Sequence, residues 1–344
     1  MRAMRPHHPA QYGLTIRIRC TSGFTLIELM IGMTIGLIVL LGLSVFFSYN
    51  SRNQHDLDRS IMRLENARFA LDTLTEDLLH AGYYARHVPG DSLHFNAIVP
   101  CPASTAHLGW NAAATDMPPA VAGLTADPAD TAQKCLTGLR AGTGVITVTH
   151  AATGASMAPH STVATNLYIQ TTSCAADVAR VTINTGPASN FTLRNTACSA
   201  ANNVQRLSQR TYFLSTCSNC TGKDGIPSLK RGELIGNSFL VNTVAEGVEQ
   251  LQFEYGVDTD NNGQVDEMLS HTDITGVAPY EWRNVVSVRV HMLTRSTLPD
   301  PGHIEQRTFL MGPLTLAPAD LPSGFKRTLL STTVPLVNVA GRRE

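Results

Sequence analysis

The stretch that decides the fold is GFTLIELMIGMTIGLIVLLGLSVFFSYN, residues 23–50. It is apolar along almost its whole length, and its single charged residue is Glu28. About 20 apolar residues cross the hydrocarbon core of a bilayer, so the length of this stretch predicts a membrane-spanning helix. A charge at the centre of such a helix costs about 2.5–3.5 kcal/mol. The presence of Glu28 near the start of the stretch therefore requires an explanation.

The residues that precede this stretch distinguish it from a secretory signal peptide. Residues 1–23 contain four arginines and no acidic residue. A signal peptide has a shorter apolar region, of about 7–15 residues, and small residues at a cleavage site after it. Here the small residue Gly23 precedes the apolar run, and no A-x-A-like site follows it. On these grounds, an ordinary membrane anchor with one tolerated acid stays open as an alternative.

The motif GFTLIE, residues 23–28, resembles the class III signal of type IV pilins and type II secretion pseudopilins. The resemblance implies that prepilin peptidase cuts between Gly23 and Phe24 and methylates the new amine of Phe24. Residues 1–23 would then be a leader that is removed. The resemblance also implies that Glu28, the fifth mature residue, pairs with the N-terminal amine of a neighbouring subunit. An opposite charge offsets much of the cost of a carboxylate in the membrane.

A one-sided helical pattern follows the apolar stretch and ends at Gly82, a plausible C-terminal stop. The pattern predicts one helix over residues 24–81 whose second half packs on a globular head; a free coiled coil is the alternative. The chain then divides into a leader (1–23), a transmembrane and assembly helix (24–82) and a head (83–344). Apolar or small residues recur at steps of three and four, at Leu57, Ile61, Leu64, Ala67, Leu71, Leu74, Leu78 and Ala81.

The head reads mainly as β-strands that alternate with turn residues. No βαβ spacing is present, which favours an antiparallel sheet. The predicted fold class is α+β and pilin-like, with a long N-terminal helix packed on an antiparallel β-sheet head. An Ala- and Pro-rich stretch, residues 100–135, reads as an irregular excursion. The predicted strands cover residues 144–150, 165–172, 178–184, 191–196, 210–217, 251–257 and 284–294.

Composition and motifs argue against several classes of function. The net charge of −1 gives no electrostatic case for a nucleic-acid-binding protein. Without the leader, 22 basic and 27 acidic residues remain, a net charge of −5. The 12 histidines are scattered, and the sequence has no G-x-S-x-G, H-E-x-x-H or phosphate-binding motif. The sequence therefore predicts a protein that is not an enzyme.

Six of the seven cysteines follow the membrane segment, and an even number there indicates disulfides in an oxidising compartment. Sequence alone cannot choose among their possible pairings. The C-x-x-C motif at residues 217–220 has two alternatives, a redox pair and half of a zinc site. A redox pair normally opens a helix, and a zinc site needs a second ligand pair, so a structural disulfide is favoured. The favoured hypothesis pairs neighbours: Cys101 with Cys135, Cys174 with Cys198, and Cys217 with Cys220.

The acidic stretch DTDNNGQVDE, residues 258–267, resembles part of a calcium-binding loop. Asp258, Asp260 and Asn262 occupy positions one, three and five, and Gly263 occupies position six. Position twelve, a glutamate in an EF-hand, is Leu269. The alternative is a polar hairpin turn at the Asn-Gly step. The hypothesis is a weak calcium site formed by Asp258, Asp260, Asn262, Asp266 and the backbone carbonyl of Gln264.

Four further segments resemble one branch of the pilins, the PilW minor pilin family. The resemblance implies a structural protein that prepilin peptidase processes and that sits in the inner membrane with its head in the periplasm. It would then join other minor pilins and the major pilin to prime a type IV pilus, and remain at or near the tip. The alternative is a minor pseudopilin of a type II secretion system. The four segments are residues 63–85, 211–231, 244–260 and 284–296.

Overall fold

The computed structural model describes residues 23–87, 94–95, 98–110, 116–236, 238–300 and 302–343. Apart from Gly23, the predicted leader lies outside these residues. The chain divides into two compact units, residues 1–57 and 58–344. This boundary lies inside the first helix rather than after residue 82, and the buried helix residues, from Ala67 onward, belong to the second unit.

The helix α1 spans Leu26–His80. It ends where Gly82 adopts a left-handed backbone with φ of +77°, a conformation that glycine takes without steric cost. The side-chain amide of Asn338 donates to the carbonyl oxygens of Leu79 and Ala81, each at 3.3 Å. The C-terminal end of the helix is thus capped by a residue from the far end of the chain.

The first unit presents an apolar helix surface. The segment Leu26–Ser51 is long and apolar enough to cross a membrane by its length and composition, and none of its apolar window is buried inside the protein. Leu29, Ile38 and Phe46 are between 53% and 67% exposed. Within the described part of this unit, the apolar surface is therefore open to an external apolar environment.

The second unit consists mainly of strands, of which the described residues contain fifteen. They are β1 His94–Phe95, β2 Asp116–Met117, β3 Val121–Thr125, β4 Gly144–Ala151, β5 Leu167–Thr171, β6 Val181–Thr185, β7 Val204–Ser215, β8 Ser228–Ile235, β9 Ser238–Glu246, β10 Val248–Val257, β11 Glu267–Leu269, β12 Val285–Arg295, β13 Phe309–Met311, β14 Leu314–Leu316 and β15 Arg327–Pro335. A short helix, α2 Val337–Ala340, follows the last strand.

The head is mainly antiparallel, as the sequence predicts, but its described strands form two large sheets rather than one. The seven-stranded sheet has the order β3-β4-β7-β5-β6, with β8 paired to β7 and β9 paired to β8. The four-stranded sheet has the order β11-β10-β12-β15. A hairpin of β13 and β14 adds a further antiparallel pair, whereas β1 and β2 form a two-residue parallel pair.

One hydrophobic core joins the second part of α1 to both large sheets. Its buried residues include Ala70, Leu74, Leu78, Ile146, Tyr212, Leu251 and Val290. In the predicted apolar stripe, Ile61 is 54% exposed, Ala67 is buried, and the contacts with this core begin at Leu71. The helix therefore anchors to the head through its last four turns, and its apolar stripe is only partly used.

A buried charge cluster around Asp77 adds to this anchor. Arg210 Nη1 donates to Asp77 Oδ1 at 2.6 Å, the Tyr212 hydroxyl donates to Asp77 Oδ2, and His150 Nε2 lies 3.4 Å from Oδ1. Burial raises the pKa of Asp77, but hydrogen bonds from His150 and Tyr212 and the charge of Arg210 lower it below its ordinary value. The carboxylate is therefore ionised and tied to two strands of the seven-stranded sheet.

Two predicted segments differ from the structure. Residues 191–196 do not form a strand: Arg194 makes an isolated bridge to Ala201, and Phe191 packs edge-on against Tyr168. The apolar alternation there reflects side-chain anchoring rather than strand pairing. The stretch 100–135 is also less irregular than predicted, because it contains β3, which pairs with β4 at the edge of the seven-stranded sheet.

Candidate assembly site and acidic loop

Thr25 and Glu28 close the start of α1 with a capping box. The Thr25 hydroxyl accepts the N–H of Glu28 at 3.3 Å, and the Glu28 carboxylate accepts the N–H and the hydroxyl of Thr25, each at 3.0 Å. The T-x-x-E spacing is visible in the sequence, although the sequence analysis did not use it. Glu28 thus stabilises its own helix in addition to the assembly role that the resemblance implies.

The capping box leaves room for a second partner at Glu28. Both hydrogen bonds from Thr25 reach the same carboxylate oxygen, Oε2. A carboxylate has two oxygens and several acceptor positions, so Oε1 can accept a bond from an external amine while the cap persists. Glu28 also lines a shallow surface depression together with Phe24, Leu29, Gly32 and Met33. This geometry suits docking of a positively charged group of a neighbouring chain.

The acidic loop joins two paired strands. Residues 258–266 connect β10 to β11, and Val257 at one end pairs with Glu267 at the other. The carboxylates of Asp258, Asp260 and Asp266 offer oxygens that lie within 4.8 Å of one another. Asp258 is buried, and the other two are exposed. The structure thus brings the three predicted carboxylate ligands together in a hairpin rather than in an EF-hand.

Hydrogen bonds within the loop also hold the two other predicted ligands. Asn262 Oδ1 accepts the N–H of Gln264 at 2.8 Å, and Asn262 Nδ2 donates to Asp260 at 3.0 Å. Asp258 accepts the backbone N–H groups of Asn262 and Gly263, at 3.1 Å and 2.9 Å. These bonds stabilise the turn that the Asn-Gly step predicts, so the loop has a defined shape of its own.

Asp258 also has a cationic partner that the sequence analysis missed. Arg343 donates to Asp258 Oδ2 at 2.9 Å and to Asn284 Oδ1 at 2.7 Å. Burial raises the pKa of Asp258, but the bonds from Arg343, Gly263 and Asn262 lower it below its ordinary value. Arg343 therefore neutralises part of the charge that a metal ion would bind. The two residues are 85 positions apart, so no local pattern shows the contact.

Calcium binding at this loop stays a prediction, and Arg343 provides a test of it. We expect weak binding, in the ~10⁻⁴–10⁻³ M range, because the glutamate of position twelve is missing. Arg343→Gln should tighten calcium binding several-fold, since the guanidinium no longer competes for Asp258. Asp260→Asn should weaken it, since one of three carboxylates is lost. Calorimetric titration of the mature chain in detergent measures both changes.

The control for this experiment is Asp273→Asn. Asp273 accepts the N–H of Ser270 at 3.1 Å and lies outside the three-carboxylate group, so its loss should leave calcium binding unchanged. If the unmodified protein shows neither a heat of binding nor a higher melting temperature in millimolar calcium, the loop is a plain hairpin turn.

Among the residues that the structure describes, three disulfides form, and they are the neighbouring pairs that the sequence analysis favoured. They join Cys101 to Cys135, Cys174 to Cys198, and Cys217 to Cys220, at sequence separations of 34, 24 and 3. The first closes the Ala- and Pro-rich stretch, and the second closes the segment between β5 and β7. The third follows β7 directly.

Family comparisons agree with these features. Residues 211–338 match the family described as Type IV Pilus-assembly protein W, and residues 18–44 match the prokaryotic N-terminal methylation motif. The first match extends from β7 to α2, and the second contains the motif of residues 23–28. No curated protein and no solved structure matches the chain.

Both matched families describe the same kind of protein. The methylation motif implies processing by prepilin peptidase, membrane anchoring and assembly with other pilins. The PilW family consists of structural pilin components and is not an enzyme family. The long N-terminal helix and the antiparallel head are consistent with a pilin-like fold. Over residues 211–338 the chain is thus similar to the PilW family of type IV pilus minor pilins, and over residues 18–44 it carries the motif of a class III prepilin signal.

Proposed function

We propose that this minor pilin helps to initiate type IV pilus assembly and stays at or near the pilus tip. The observation that carries the proposal is the unburied apolar segment Leu26–Ser51 with Glu28 at its start. A helix that is apolar on all sides needs an apolar environment along its length. The membrane supplies this environment before assembly, and the helices of other pilins supply it afterwards.

Glycines in the apolar segment support this bundling. A Cβ added at Gly32, Gly36 or Gly42 would meet nothing within 4 Å in this chain. Its own fold therefore does not require glycine at these positions. Small residues allow neighbouring helices to approach closely within a membrane, so we assign these glycines to contacts with other pilins.

The proposed path begins in the inner membrane, with a single membrane pass and the head in the periplasm. Prepilin peptidase removes residues 1–23, and the new amine of Phe24 is methylated. The disulfides of the head suit this oxidising compartment. Other minor pilins and the major pilin are the partners, and Glu28 sets the register between helices. A subunit that primes a filament extended from its base is carried to the filament tip.

A strain that lacks the protein tests this proposal. We expect few or no surface pili, with type II secretion unaffected, and restoration of pili by the native gene. The complementing protein should appear in sheared pili at low copy, and a labelled head should mark filament ends. Normal pili together with failed secretion would instead support the alternative, a minor pseudopilin of a type II secretion system.

Three variants in the same assay separate the two roles of Glu28. Glu28→Gln keeps the capping box and removes the charge, Thr25→Ala removes the cap and keeps the charge, and Glu28→Ala removes both. An unpaired charge in the membrane costs about 2.5–3.5 kcal/mol, so both Glu28 variants should lower incorporation into pili at least ~10-fold. Thr25→Ala should assemble almost normally. Native incorporation of Glu28→Gln would eliminate the charge-pairing role.

A further inference from the structure

The disulfide between Cys217 and Cys220 lies beside a buried lysine. Lys230 of β8 is only 6% exposed, and its ammonium donates to Cys220 Sγ at 3.3 Å. The Ser215 hydroxyl lies 3.5 Å from the Cys217 sulfur and 3.4 Å from the Cys220 sulfur. A disulfide sulfur is a weak acceptor, whereas a thiolate is a strong partner for an ammonium. Reduction to a Cys220 thiolate would therefore give Lys230 a stronger partner than the oxidised sulfur.

The Cys217–Cys220 disulfide closes only a small ring, which also favours its reduction. The sequence separation of this disulfide is 3, compared with 24 and 34 for the other two. In the chain-entropy description, a cross-link that closes a shorter loop stabilises the folded state less. The protein thus loses less stability when this disulfide opens than when either of the others opens.

The segment between the two cysteines is held independently of their bond. The Asp224 carboxylate accepts the N–H of Ser218 at 3.1 Å and the N–H of Asn219 at 2.6 Å. The Ser218 hydroxyl donates to Glu246 at 2.7 Å. None of these bonds involves sulfur, so they persist on reduction. The two thiols then stay adjacent, and the disulfide can form again.

The two cysteine residues differ in their exposure to solvent. Cys217 is 9% exposed, whereas Cys220 is half-buried. Gly138 covers both sulfurs from one side, with a left-handed φ of +69°. A Cβ at Gly138 would lie 2.8 Å and 2.9 Å from the two sulfurs, so only glycine permits this close approach. We therefore expect an incoming thiol to attack Cys220, the more exposed of the two residues.

We propose that Cys217–Cys220 is a thiol–disulfide exchange site for a protein that presents two cysteine thiols. A partner thiolate attacks Cys220 Sγ and forms a mixed disulfide, while the Cys217–Cys220 bond breaks and its electron pair goes to Cys217, which takes up a proton. The second partner thiolate then attacks the partner sulfur of the mixed disulfide and releases the Cys220 thiolate beside Lys230. Two electrons and one proton pass to this chain, the other thiol proton of the partner goes to solvent, and the partner becomes a disulfide.

Lys230 has the role that a helix N-terminus has beside many redox-active cysteines. Cys217 follows a strand, so the positive potential comes from a side chain on the neighbouring strand β8. The ammonium attracts the incoming thiolate and stabilises the Cys220 thiolate. Burial lowers the pKa of Lys230 and the Asp224 charge raises it. Formation of a thiolate at Cys220 would add a second negative partner and favour the charged ammonium.

Graded reduction of the mature chain in detergent tests the proposal. The protein is equilibrated with increasing reduced glutathione, alkylated with iodoacetamide and analysed by mass spectrometry. The Cys217–Cys220 bond should open at a glutathione concentration at least ~10-fold below that for the other two disulfides. Simultaneous opening of all three would overturn the proposal. Alkylation of Cys217 or Cys220 before reduction would also overturn it, since it would indicate a free or metal-bound pair.

Two lysine variants isolate the effect of the ammonium. Lys230→Met keeps most of the side-chain length and removes the charge, so the glutathione concentration at half-reduction should rise several-fold. Lys223→Met removes an exposed charge from the adjacent loop and should leave this concentration unchanged. Equal behaviour of Lys230→Met and the native protein would exclude the role of Lys230.

A third variant allows the pKa of the Cys220 thiol to be measured in the absence of the disulfide. Cys217→Ser leaves Cys220 as a single thiol, whose alkylation rate against pH gives its pKa. We expect a pKa below the ordinary thiol value of about 8.5 and a higher pKa when Lys230→Met is added. Oxidised glutathione should also form a mixed disulfide at Cys220. A Cys220 pKa at or above the ordinary value would contradict the proposed exchange site.

Discussion

Replacement of Gly23 by Arg should leave the uncleaved chain in the membrane and reduce its amount in pili to background. Residues 18–44 match the prokaryotic N-terminal methylation motif, and the resemblance of residues 23–28 to a class III signal implies a cut between Gly23 and Phe24. The fold itself does not require glycine here, because a Cβ added at Gly23 would meet nothing within 4 Å. The substitution therefore acts on recognition by prepilin peptidase and not on folding.

Failure to cleave should also abolish assembly. Without cleavage, no free amine exists at Phe24 to pair with the Glu28 carboxylate of a neighbouring subunit. A leader that carries four arginines would also remain attached to the apolar helix. Charged residues are costly inside a helix bundle that excludes water, so the uncleaved chain has two reasons to stay out of the pilus.

Intact-mass spectrometry measures this prediction directly. The native protein should begin at N-methyl-Phe24, and Gly23→Arg should retain residues 1–23. Gly32→Ala is the matched control, since a Cβ at Gly32 also meets nothing within 4 Å and the residue lies outside the cleavage motif. It should be cleaved normally. Detection of residues 1–23 on native protein recovered from pili would show that the cut is not where the motif places it.

The helix could be predicted closely from the sequence because its signals are local. The apolar run, the one-sided stripe and Gly82 predict residues 24–81, and the structure has Leu26–His80. The cap at Thr25 is equally local, because it depends only on the T-x-x-E spacing of residues 25–28. Along the strands, the pattern was weaker. Strand β8, with the sequence SLKRGELI, alternates poorly between polar and apolar residues and was missed.

The contacts that define the sites could not be predicted from the sequence because they join distant residues. Arg343 and Asp258 are 85 positions apart, and Arg210 and Asp77 are 133 positions apart. In the sequence, Asp77 is one of several charges between the apolar positions of a helix and suggests a solvated face. Only the pairing of β7 with β4 and β8 places Arg210 and Tyr212 under the helix and buries Asp77 to 5% exposure.

A large loss of folding stability is therefore expected when Asp77 is replaced. Asp77→Ala would leave the Tyr212 hydroxyl and His150 without their carboxylate partner, in a buried site. Removal of one partner from a buried ion pair costs about 3–5 kcal/mol. We expect about 3 kcal/mol, because Arg210 keeps a second contact, to Glu233 at 3.4 Å. Such a loss should lower the melting temperature of the mature chain in detergent by roughly 5–10 °C.

The pH dependence of this effect distinguishes charge from packing. The pKa of Asp77 in the folded chain lies below its ordinary value. A lowered pKa gives stability that is complete above the unfolded pKa, about 3.9, and is lost as the pH falls through the folded value. The difference between native protein and Asp77→Ala should thus be full at neutral pH and shrink below about pH 4. A difference that stays constant to lower pH would mean that only packing is lost.

Glu76→Gln is the control that makes this result specific to the buried cluster. Glu76 precedes Asp77 on the same helix but is exposed, so its replacement should change stability by no more than about 0.5 kcal/mol. The melting temperature of Asp77→Asn should lie between those of Glu76→Gln and Asp77→Ala. The amide oxygen can still accept a hydrogen bond from Tyr212, whereas the attraction to Arg210 is lost. Equal melting temperatures for Glu76→Gln and Asp77→Ala would show that the helix is held by its apolar contacts alone. We expect the melting temperature to be lowest for Asp77→Ala and unchanged for Glu76→Gln. This order requires that the buried charge cluster holds α1 against the seven-stranded sheet.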